Sequence, residues 1–126
     1  MSYIQRLTVP VTTAADGSAT VFSDRATGKI TTIRYVKDGT NGFADGSTMT
    51  VTAEATGESI WTESNVNASA TRAPRQATHS AAGAAALYAS GGVGVNDKIA
   101  IANDRVKIVI TSGGNAKTGT FFIVLE

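Results

Sequence analysis

The sequence predicts an all-β protein: a single antiparallel β-sandwich over residues 1–126, jelly-roll-like, with seven to eight strands and little or no helix. Three observations predict it. Val and Ile number 20 together against three Leu, and branched side chains lose rotamer freedom in a helix but pack well on a pleated surface. Apolar residues alternate with polar ones in short runs, the period of a half-buried strand. Asp-Gly and Gly-Gly pairs separate those runs, and they accept the positive φ of tight hairpins. A chain of 126 residues is expected to form one domain around one core.

The elements follow in order. "YIQRLTVPV" alternates around Ile4, Leu7 and Val9, and Pro10 marks an edge strand or a strand end. "ATVF" (19–22) is short, and "KITTIRYVK" (29–37) is a clear β run. "STMTVTAEA" (47–55) sets Met49, Val51 and Ala53 on one face and Thr48, Thr50, Thr52 and Glu54 on the other. "ESIWTES" carries the single Trp. "DKIAIANDRVKIVI" (97–110) reads as two strands with a turn at Asn103-Asp104. "TGTFFIVLE" (118–126) is apolar on both faces in its middle, which predicts a central or covered strand. "SAAGAAALYA" (80–89) is the one helix candidate, marginal at that length with a Gly inside. Ala, Gly and Thr number 20, 13 and 18; side chains this small predict a thin core, supplemented by assembly into an oligomer.

Composition excludes most chemistries. Net charge is +1, from 11 basic and 10 acidic residues scattered along the chain, too balanced for a nucleic-acid footprint. Without Cys there are no disulfides, and His/Cys zinc sites are ruled out by count. No apolar run has the length of a membrane span, and "MSYIQRLTVP" shows no secretory signal. His79 is the sole imidazole and has no nucleophile elbow nearby, so no enzyme, cofactor or small-molecule substrate is expected. "KDGTNGFADGS" lacks calcium-loop spacing because Thr40 and Gly42 hold two ligand positions. Glu54, Glu58 and Glu63 read as solvent-facing strand ends. Trp61, Tyr88 and Phe43 are candidate aromatics for a sugar groove, against the commoner fate of core or interface anchors.

"SNVNASATRAPRQATH" (64–79) is lightly charged, with Arg72 and Arg75 either side of Pro74 and its neighbour. It reads either as an idle extended connection or as an arm whose arginines pair with carboxylates of a neighbouring chain. Together with "ALYASGG" and "IAIANDRVKIVITSGGNAKTGTFFIV", the run "IWTESNVNASATRAPRQATH" resembles a family of small virion structural proteins of tailed bacteriophages, the capsid decoration (cement) proteins among them. "DRVKIVI", a Gly-rich turn and "GTFFIVLE" look like the final hairpin of many phage β-sandwich proteins. The resemblance implies a non-enzymatic protein made in the host bacterial cytoplasm and carried on the outer capsid surface. Its implied partners are the phage major capsid protein and itself, as a dimer or trimer. Tyr3, Ile4 and Arg6 on the first strand, with Arg72, Pro74, Arg75 and His79, are then the candidate interface residues. A tail, connector or baseplate β-domain is the alternative, and a receptor- or carbohydrate-binding module the third reading.

Overall fold

Alternation decides which side chains turn inward, and the rest of the architecture follows from where they meet. The computed structural model describes residues 4–87, 89, 90 and 92–126. Its described residues hold ten strands and no helix: β1 (Gln5–Thr12), β2 (Ala19–Phe22), β3 (Ala26–Lys37), β4 (Ser47–Ala53), β5 (Ser59–Val66), β6 (Ala70–Arg72), β7 (Arg75–Ala77), β8 (Asn96–Asp104), β9 (Val106–Thr111) and β10 (Thr118–Leu125). One sheet, called A, runs β1-β10-β3-β8-β7, with β6 also paired to β3; the other, B, runs β2-β9-β4-β5. All the strand pairs are antiparallel. The two sheets close over one core, so the β-sandwich is confirmed.

The pairing is nested. β4 pairs with β5, β3 with β8, β2 with β9 and β1 with β10, as in one long antiparallel ribbon rolled up on itself. Rolling brings β10 beside β3 and β9 beside β4, which is the double Greek key of a jelly roll. Eight of these ten strands are those expected. β6 and β7 are additional: three residues each, too short to carry an alternation signal, they exist because the edges of β3 and β8 offer them hydrogen bonds.

The roll corrects the hairpin expectation. Gly17, Gly46 and Gly114 do take positive φ, at 83°, 86° and 88°, but the strands flanking them belong to opposite sheets. β9 and β10 are likewise not a terminal hairpin, because β9 lies in sheet B and β10 at the centre of sheet A. Asn103 (φ 47°) turns the chain between β8 and β9, which also lie in different sheets.

The core is built from large side chains rather than small ones. Met49, Val51, Ile108, Ile110, Phe121 and Ile123 are all wholly buried, and Ala26 and Ala53 are the alanines among the buried hydrophobics. Most alanines of residues 81–86 are exposed, so the Ala-rich composition describes the surface instead of thinning the core. At the centre Tyr35 stacks on Phe43 (5.5 Å between centroids), and Phe121 lies 5.3 Å from Tyr35 and 6.4 Å from Trp61. Gly119 makes the stack possible, because a Cβ there would meet Tyr35 Cε1 at 2.8 Å and Phe43 Cε2 at 3.1 Å. Gly119→Ala is therefore expected to cost about 1–3 kcal/mol of stability, the usual penalty of overpacking. An unchanged denaturant midpoint would contradict this packing.

Candidate protein interface

The 64–79 segment passes from sheet B to sheet A at one side of the sandwich. After β5, the Asn67 side-chain oxygen accepts from the Gly46 amide (2.7 Å) and Ser69 Oγ accepts from the Lys37 amide (2.9 Å). β6 then pairs with the upper part of β3, and β7 with β8. The lower part of β3, residues 26–30, pairs with β8. Thr31 lies between these two stretches, at the register shift where β10 skips from Thr32 to Ile30.

Both arginines of this segment bond within their own chain. Arg72, opposite Ile33, reaches Glu63 on β5 with a two-point fork: Nε donates to Oε1 and Nη2 to Oε2, each at 2.8 Å. Trp61 Nε1 donates to the same Oε1 at 3.2 Å. The pair joins sheet A to sheet B where the sandwich would otherwise gape. Arg75 Nη1 donates to the Thr31 carbonyl (3.1 Å) and to the Pro74 carbonyl (2.7 Å), closing the gap between β6 and β8. Pro74 is buried beneath it.

The hydrogen bond from Arg72, with a further one from Trp61, holds the Glu63 carboxyl below its ordinary 4.5. Arg105, whose guanidinium lies 4.2 Å from the centre of the Phe22 ring, does the same to Glu54. A carboxylate depressed on folding contributes stability that is complete above its unfolded value and lost as pH falls through its folded one. The melting temperature should therefore fall on acidification from about pH 5 to about pH 3, and Glu63→Gln should flatten that decline. A decline of equal steepness in the variant would show that the latch contributes nothing.

The remaining candidates lie apart. Ile4 is 72% exposed just before β1, Arg6 points outward from β1, and Tyr3 falls outside the described residues. His79 is exposed at the base of a lobe, residues 78–95, that links β7 to β8. His79 bridges to Ala85 and Leu87 to Gly94, while the Thr78 amide donates to Val95 O at 2.9 Å. The lobe exposes Leu87 (43%) and Val93 (75%). β1 and β7 are opposite edges of sheet A, so the seven residues do not form one cluster. Trp61 and Phe43 are core residues, which removes both from a sugar groove, and Tyr88 is not among the described residues. Among the described residues no group of His, Asp or Glu has a metal-binding arrangement.

Of the outer face of sheet A, sequence reasoning singled out Arg6 and missed the rest. Thr32 and Arg34 of β3 turn away from the core, beside Phe122 and Val124 of β10 and Arg6 of β1. The Arg6 guanidinium lies 5.4 Å from the Phe122 ring centre. The signal was the alternation of β3, which already sets Arg34 opposite Ile33 and Tyr35. Searched against protein-family models, curated proteins and solved structures, the chain matches none.

Proposed function

We propose that the chain is a non-enzymatic structural protein of a tailed-phage virion, specifically a decoration (cement) protein that binds the outer surface of the head and bridges major capsid protein subunits. One observation carries the reading: this jelly roll turns surfaces for contact outward, a sheet face, an edge strand and a lobe. Its lone imidazole is exposed. Its outward features are a basic and partly apolar sheet face, the edge strand β1 and the lobe bearing Leu87 and Val93. The likeness of "IWTESNVNASATRAPRQATH" to phage virion proteins supplies the context.

The mechanism is mechanical. Each copy adds a modest contact, and repetition over a lattice makes the sum large through effective concentration. Pro10 removes an amide donor from β1, and Arg6 places a charge there, two devices that keep a free edge from pairing indiscriminately before docking. Quantitative mass spectrometry of purified particles tests the reading. A shell lattice demands on the order of hundreds of copies, against about six or twelve for a connector or baseplate ring. A count in the lower class would move the protein to the tail.

A further inference from the structure

The chain has six arginines, and its own fold employs four of them. Arg72 and Arg105 take Glu63 and Glu54, while Arg25 and Arg75 donate to the backbone carbonyls of Asn103 and Thr31. Arg6 and Arg34 make no ion pair and no side-chain hydrogen bond among the described residues. Both line one groove of about 420 Å³ on the outer face of sheet A, with Thr32, Thr71, Phe122 and Val124. No acidic side chain lines it.

We propose that this groove is the docking surface for an extended acidic segment of a partner protein. Carboxylates of the segment pair with the guanidiniums of Arg6 and Arg34, and an apolar side chain between them rests on Val124 and the edge of Phe122. The inference deepens the reading above, and rests on it only for the partner's being a shell protein.

Charge complementarity selects the partner. Two unpaired forks with an apolar floor between them match carboxylates, for which guanidinium is the two-point partner. Alternate residues of an extended segment share a face, so an acidic–polar–apolar–polar–acidic pattern turns both charges and the apolar residue between them towards the groove. Arg6 and Arg34 lie two strands apart, about 10 Å across the sheet, a span that long acidic side chains bridge. An acidic sugar fits less well, since the Arg6 guanidinium occupies the ring of Phe122 on which a pyranose would stack. Nucleic acid fits less well still, because two cations neutralise too few phosphates to bind tightly.

The test is an NMR titration of the ¹⁵N-labelled full chain with a capped Glu-Ser-Val-Ser-Glu peptide, with the Gln-for-Glu peptide and polygalacturonate as comparators. Saturable amide shifts should cluster on Arg6, Thr32, Arg34, Thr71, Phe122 and Val124 and weaken with salt. The double variant Arg6→Gln/Arg34→Gln should bind about tenfold more weakly, as the loss of two charge-assisted contacts implies. Both side chains are exposed, so its spectrum should show an intact fold; Lys29→Gln/Lys107→Gln, equal in charge change, should bind as the parent does. Shifts centred elsewhere, equal binding by the arginine variant, or saturation by polygalacturonate alone would overturn the proposal. A particle count that contradicts the shell reading while the peptide binds here leaves this surface standing and removes only the shell.

Discussion

Phe121→Ala should lower the unfolding free energy by about 3–5 kcal/mol, the largest effect expected of any single truncation in this chain. Phe121 is wholly buried at the middle of β10, the strand held between β1 and β3. Its ring meets Tyr35 from its own sheet and Trp61 from the other, so removing it opens a cavity at the contact between the layers. Those neighbours cannot collapse into the space. Tyr35 is fixed by its stack on Phe43, and Trp61 by its hydrogen bond to Glu63. Domains of this size have about 5–15 kcal/mol in total, so the variant should be partly unfolded at physiological temperature. Urea titration measures it, and a loss below about 1 kcal/mol would mean that the two sheets do not share this centre. Phe122→Ala, one residue along and facing outward, should cost far less, which separates burial from mere aromatic content.

Asp104→Ala is the second large effect, expected at about 2–4 kcal/mol because a buried acceptor of two amides disappears. Asp104 is 4% exposed at the crossing from β8 to β9. It accepts from the Arg105 amide at 2.7 Å and from the Ala55 amide at 3.1 Å, tying the β4–β5 turn to that crossing. The neighbouring Glu54 amide donates to the Arg105 carbonyl (2.9 Å), and the Val106 amide to Ser23 Oγ (2.9 Å), so the crossing lies within a web of local bonds. Truncation leaves two amides without a partner. Asp104→Asn keeps one oxygen acceptor and should lose roughly half as much. Equal losses in the two variants would indicate that charge, rather than hydrogen bonding, holds the crossing.

How far the fold was legible follows from what each signal encodes. Met49, Val51 and Ala53, or Val106, Ile108 and Ile110, declare a buried face by alternation alone, and all are buried. Asp-Gly and Gly-Gly declare that the chain reverses, but not whether the next strand joins the same sheet. Hairpin and crossing look alike in sequence, and the difference is settled by which apolar faces meet. β6 and β7 had no signal at all, since three residues form a strand only beside a waiting edge.

The interface was legible in part for a related reason. Arg72 and Arg75 attracted attention because they stand near the single Pro of a weakly patterned stretch. Their bonds to Glu63 and Thr31, 9 and 44 residues away in sequence, appear only once the sheets are folded. Arg6 and Arg34 stood in ordinary strand alternation, and their outward direction was readable. Their want of a carboxylate partner was not, because it depends on the placement of every acidic residue. In this fold the arginines of the stretch 64–79 bond within their own chain along one side of the sandwich, while Arg6 and Arg34 lie on the outer face of sheet A.

The proposed role, a decoration protein on a phage head, meets its most direct test in a reconstruction of purified phage particles. Density for this jelly roll is expected on the outer capsid surface, repeated with the lattice, with the Arg6–Arg34 face of sheet A turned towards an acidic segment of the major capsid protein. Density confined to the tail tube or tail tip, or particles without the protein, would contradict it.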